Sequence, residues 1–155
     1  MISPMQLNNY FVEEICIKEN PAFDPTPNVE RKIGTINCAL NFAKGIDVED
    51  HFKVQMIVSV EPAATPPALD PYQISLKIVG FFSFPPDAFQ IPDLDKDKLV
   101  SLNGSSILFG LARGLVAQAT GVGKYGKYLL PPINFMELWQ KKQSTELPLL
   151  ANQQS

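Results

Sequence analysis

Polar and apolar residues alternate with a period of two along three stretches of the chain. From Lys32 to Phe42, Ile36, Cys38, Leu40 and Phe42 fall on one side, and Thr35, Asn37 and Asn41 on the other. From His51 to Glu61, Phe52, Val54, Met56, Val58 and Val60 oppose a mostly polar set, with Ile57 the exception. From Tyr72 to Phe82, Tyr72, Ile74, Leu76, Ile78 and Phe82 oppose Gln73, Ser75 and Lys77. Such alternation predicts antiparallel strands with one covered face and one wet face. Tyr10 to Lys18, rich in aromatic and β-branched residues, adds a fourth strand. The proline-rich run Asn20 to Asn28 cannot sit in a ladder, so it reads as a long crossing loop between the first two strands.

The period then changes. Ile107, Leu108, Leu111, Ala112, Leu115, Val116 and Ala119 recur at spacings of three and four, which predicts a helix with one apolar face. Ser105 has the side chain of an N-cap, and Gly121 and Gly123 would end the helix by reaching positive φ. Pro131 and Pro132 keep the next segment extended as far as Asn134. Asn134 and Glu137 have the spacing of a capping box for a second helix, and Lys141 and Lys142 suit its C-terminal dipole. Pro85 to Asp97 reads as irregular and acidic. The expectation is an α+β fold: a four-stranded antiparallel sheet with two C-terminal helices covering one face. Residues 1–143 would form a single domain, followed by a polar tail over 144–155 that carries a Leu147-Pro148-Leu149-Leu150 patch and is expected to be mobile.

Composition narrows the function classes. An apolar fraction of 45% with 19% charged residues is a globular balance. The net charge of −3 gives no electrostatic reason to expect nucleic acid as a partner. No apolar run reaches the roughly 18 residues of a membrane span, and the N-terminus lacks a signal-peptide pattern, so a cytoplasmic protein without membrane insertion is expected. Cys16 and Cys38 have no metal or redox spacing and read as small apolar core residues.

Catalytic chemistry finds little support. Gly121 to Lys127 fits the G-x-x-x-x-G-K string of a phosphate loop. Tyr128 stands where a magnesium-binding hydroxyl belongs, and the helix precedes the loop instead of following it, so a helix-ending turn is the better reading. His51 is the only histidine and has no evident nucleophile or acid beside it. Asp93, Asp95 and Asp97 lack the glycine and closing glutamate of a calcium loop. No enzyme, metal or cofactor is expected. What remains is apolar surface. Phe81 has no obvious internal partner, and Phe135, Leu138 and Trp139 make a compact stripe, read as ordinary core or, alternatively, as an exposed groove for extended peptide or an oligomer interface.

Several short motifs carry a resemblance. Ile107-Leu108-Phe109 with Ala112-Arg113, then a glycine turn, then Leu130-Pro131-Pro132-Ile133-Asn134-Phe135, resembles the N-I-L-F-P-Y-A-R and L-A-P-V-N-F runs of the SecB export chaperones. Ile15-Cys16-Ile17-Lys18-Glu19 is similar to that family's first strand, Ala22-Phe23-Asp24 to its following S-F-E, and Gly80 to Phe84 to the end of its fourth strand. Gly110 and Leu111 replace the family's proline and tyrosine, and its crossover tryptophan has no counterpart.

The resemblance implies an ATP-independent holdase that binds unfolded preproteins and keeps them export-competent. It also implies a homotetramer, a dimer of dimers, with Ile107, Leu108, Leu111 and Leu115 on the interface helix. Clients would contact Phe23, Phe135, Leu138 and Trp139. Acids that dock the SecA motor would correspond to Glu19 and Asp24, whereas the family's fourth-strand acid falls at Ser75. That substitution keeps open a second reading, a chaperone dedicated to one partner such as an antitoxin. A structural oligomer that binds no client is a third.

Overall fold

The computed structural model describes residues 3–26, 28–45 and 48–141; the expectations for Lys142 and for the tail over 144–155 lie outside these. Four antiparallel strands, β1 (Gln6–Glu19), β2 (Thr35–Lys44), β3 (His51–Glu61) and β4 (Tyr72–Ser83), form one sheet in the order β1-β4-β3-β2. β1 therefore pairs with β4, and the crossing loop carries the chain from one edge of the sheet to the other. The predicted limits of β3 are those observed, while β1 runs longer at both ends than predicted.

The core forms on one face of β3 and β4. Val54, Met56, Val58 and Val60 of β3, with Ile74, Leu76, Ile78 and Phe82 of β4, are sealed from solvent. A helical rod covers them. It comprises α1 (Asp93–Leu99), a π turn (Val100–Gly104) and α2 (Ser105–Thr120), and α2 packs Leu108, Phe109, Ala112 and Val116 inward. Burying such side chains is worth about 1.5–3 kcal/mol each, which makes this contact the main source of stability. By length and composition the Asp93–Thr120 rod could cross a membrane; here Val100, Leu108, Phe109, Ala112 and Val116 are buried in the core, while Leu94 and Ile107 are exposed.

The helix start corrects the sequence expectation. The rod begins after Pro92, where Asp93 and Asp95 suit the N-terminal dipole, so Asp93–Leu99 is helical and not irregular. Ser105 is not a cap. It lies inside the rod at φ −62°, fully buried, with no hydrogen-bond partner for its Oγ among the described residues. Gly121 ends α2 without a positive φ, at −56°. Gly123 is required for a different reason: a Cβ there would lie 2.6 Å from the Tyr72 hydroxyl. The hydroxyl donates to the Gly126 carbonyl at 2.8 Å and accepts from the Tyr125 N–H at 3.0 Å, so a tyrosine, not a phosphate, fills the glycine turn.

Other expectations shift as well. Phe81 has a partner, because it points to the outer face and its ring lies 5.9 Å from that of Phe11 on β1. Cys16 is exposed, not core, since it sits on the poorly covered edge strand.

Candidate functional site

The second predicted helix, α3, spans 135–141. It starts where expected, because the Asn134 side-chain oxygen accepts the Met136 and Glu137 N–H groups at 3.1 and 3.3 Å. Its first residue, Phe135, is buried edge-on against Phe109 of α2, with ring centroids 5.7 Å apart. That contact aims Leu138 and Trp139 towards the β2 edge of the sheet. Between α3, the π turn and β2 lies an open groove of about 610 Å³.

The walls of the groove are largely apolar. Leu40 and Phe42 come from β2, Phe52 from β3, Val100 from the π turn, and Phe135, Leu138 and Trp139 from α3. Leu94 of α1 stands at the mouth with 73% of its surface exposed. The β2 side chains are only half covered because the rod sits over β3 and β4 and stops short of this edge. Cys38 also lines the groove, and burial pushes its thiol up to about 11, so it is a thiol and not a thiolate at neutral pH.

Charged groups hold the mouth of the groove in place. Lys44 at the end of β2 pairs with Asp97 of α1 at 2.9 Å. Lys98 holds its ammonium 5.2 Å from the centre of the Trp139 ring, a cation–π contact that orients the indole. Below them Lys96, buried, reaches Asp50 in the β2–β3 turn at 2.9 Å and lies 5.8 Å from the Phe84 ring. α1 is thus tied to both ends of the turn that closes the groove floor.

Of the four residues expected to contact clients, three come together here and Phe23 does not. Phe23 packs on Tyr125 at 4.9 Å and its segment bridges to Ala68, beside the Tyr72 end of β4. Phe52 opens β3 and pairs with Lys44, whereas Val60 near the far end pairs with Ile74. Eight strand residues separate them, about 26 Å. Within one chain, Phe23 belongs to the cluster that clasps the crossing loop and the glycine turn.

Glu19 is exposed at the end of β1. The Asp24 carboxylate is engaged within its own loop. Hydrogen bonding from the Thr26 side chain and from the Thr26 N–H, the latter at 2.8 Å, helped by nearby Arg31, holds its pKa below the ordinary value. Ser75 lies between Cys16 and Ser59 on the sheet. On the expected interface helix, Leu108 points inward and is fully buried, so it cannot meet a partner. Ile107, 40% exposed, and the half-covered Leu111 and Leu115 flank Gly110 and Gly114, whose outward sides are open.

Sequence reasoning passed over Phe42, Phe52, Leu94 and Val100 as groove residues. One signal was present: Ile91-Pro92-Asp93 is a helix start, with proline at the entry and acids in the first turn. Among the described residues, no group of three or more His, Cys, Asp and Glu could hold a metal ion. The arrangement offers apolar contact and two cationic rim groups, and no assembled nucleophile or general base.

Comparison with known proteins agrees with this architecture. A family model described as preprotein translocase subunit SecB matches residues 3–146. Among solved structures, the Mycobacterium tuberculosis SecB-like chaperone Rv1957, in complex with a ChAD peptide from the Rv1956 HigA1 antitoxin, aligns with a TM-score of 0.51 at 14% identity. The alignment covers 84% of this chain and 91% of that one. A Streptococcus agalactiae protein of unknown function aligns with a TM-score of 0.44 at 10% identity, over 83% and 97% of the two chains. No curated protein sequence matches.

Proposed function

Because the chain belongs to the SecB family, whose members are chaperones and not enzymes, we propose that it is an ATP-independent holdase. Its groove takes apolar segments of unfolded polypeptides. The observation that carries this reading is the apolar groove wall of Leu40, Phe42, Leu138 and Trp139, each only half buried, over the buried ring of Phe52. Aromatic and aliphatic walls bind extended chain through contact area and without a fixed sequence. In a homotetramer, a dimer of dimers in the cytoplasm, several such grooves would hold one client with added avidity. The outward face of α2, with Ile107, Leu111 and Leu115, is the surface for that assembly; Phe23 would then serve clients from a second patch.

A narrower reading is favoured by a specific feature. The sheet carries Ser75 where the resemblance implies an acid, and Asp24 is already engaged by Thr26, so the acidic surface for SecA is thin. A chaperone dedicated to one partner, such as an antitoxin segment, fits this better than an export chaperone, and the M. tuberculosis relative carries such a peptide. The test is Trp139→Ser together with Leu138→Ser. Binding of a labelled, permanently unfolded polypeptide should fall at least tenfold while the fold and oligomeric mass persist. Unchanged binding by a folded variant would remove the groove from the account.

A further inference from the structure

The groove has an occupant within reach in the chain itself. α3 forms one wall and the described chain leaves it at residue 141, beside Leu138 and Trp139. Residues 142–155 follow, and their apolar content is concentrated in Leu147-Pro148-Leu149-Leu150. From residue 141 to Leu149 the chain can span at most about 28 Å. The Cys38–Lys44 section of β2 that borders the groove is about 20 Å long, so the patch can reach any part of it. Pro148 favours an extended backbone and forbids a helix continuing from α3 through this point. Glu146, just before the patch, would pass the mouth where Lys98 and Lys44 stand.

We propose that Leu147–Leu150 is an intramolecular ligand of the groove, docking its leucines against Leu40, Leu138 and Trp139 and competing with client polypeptide. The inference rests on the groove being a polypeptide site. A short tether gives an effective concentration in the millimolar range, so even a weak contact keeps the groove mostly filled. Clients then bind in proportion to the open fraction. The tail sets a threshold: long or strongly apolar clients displace it, and short folded-protein segments do not.

Trp139 is the only tryptophan and lines the groove, so its fluorescence reports occupancy directly. The experiment compares the full-length protein with a full-length variant carrying Leu147→Asp, Leu149→Asp and Leu150→Asp. Emission and acrylamide quenching are read over a range of protein concentrations, and affinity is measured for a reduced and alkylated, permanently unfolded polypeptide. The variant should be red-shifted and more readily quenched, and should bind the polypeptide about tenfold more tightly if the tail fills nine-tenths of the grooves. A synthetic peptide of residues 144–152 should restore the native emission. Identical emission and quenching in the two proteins would overturn the proposal, even if both bind the polypeptide. So would native emission that shifts on dilution, which would assign the groove to a second copy's tail. A tail-dependent emission with no polypeptide binding in either protein would support the self-ligand and sink the chaperone site instead.

Discussion

Replacing Gly80 by alanine puts a methyl group into a close contact between the sheet and α2. An ideal Cβ at this position lies 2.7 Å from Leu108 Cδ2 and 3.0 Å from Phe82 Cε2. Both side chains are fully buried, so neither can swing into solvent. Overpacking of this kind costs about 1–3 kcal/mol. Alanine also lowers the entropy of the unfolded chain, returning about 0.4–1 kcal/mol, so the net loss should be about 1–2 kcal/mol. Leu108→Ala alone opens a cavity and should cost about 2–5 kcal/mol. In the double variant the new methyl enters that cavity, so the combined loss should fall short of the sum by about 1 kcal/mol or more. Urea unfolding at fixed protein concentration measures all four species, and thermal midpoints should drop by roughly 2–8 °C for Gly80→Ala. A stable Gly80→Ala protein, or strict additivity, would refute the packing described here and with it the placement of α2.

Asn20 is buried, and its amide donates to the Ala63 and Asp70 carbonyls, each at 3.1 Å, while its oxygen accepts the Ala22 N–H at 3.2 Å. Asn20→Asp turns the donor into an oxygen facing two carbonyls and should cost about 2–4 kcal/mol in urea unfolding; a loss below about 1 kcal/mol would contradict it. Asp50→Asn strands the buried Lys96 ammonium and should cost roughly 2–3 kcal/mol after allowing for the partial exposure of Asp50. Lys96→Met should stay within about 1 kcal/mol of wild type, and the reverse order would contradict this account of the pair. Maleimide at pH 7 should label exposed Cys16 well before Cys38. Because the Cys38 pKa is raised in the folded state, its contribution to stability is present below the ordinary 9.0 and is lost as pH rises towards about 11. Equal labelling rates would contradict that burial.

The sheet was readable because each strand's pattern reports its own environment. His51–Glu61 alternates almost without fault, and its limits follow from that alone. The cap at Asn134 was readable for a similar reason, since it acts over three residues. Other features depend on what packs where. The rod's first turns carry Asp93, Asp95, Lys96, Asp97 and Lys98, which hide the apolar period, and the π turn then shifts the phase before α2 begins. Ser105 carries the side chain of a cap and is interior only because helix already precedes it. Leu108 shares a periodic face with Leu111 and Leu115, yet Gly80 opens a pocket that takes Leu108 alone fully inward. The groove is a gap between a sheet edge, a rod and a short helix, so Phe42, Phe52 and Val100 become neighbours of Trp139 only in three dimensions.

The central claim is that this groove holds unfolded chain, and one measurement tests it most directly. A slow-folding polypeptide is diluted from denaturant with and without the protein, no nucleotide added, and both refolding rate and complex mass are followed. Slowed refolding, with the polypeptide eluting together with the protein and released by Trp139→Ser, is the predicted result. Unchanged refolding of several such polypeptides beside a folded, assembled protein would contradict the general holdase and leave the dedicated chaperone in its place.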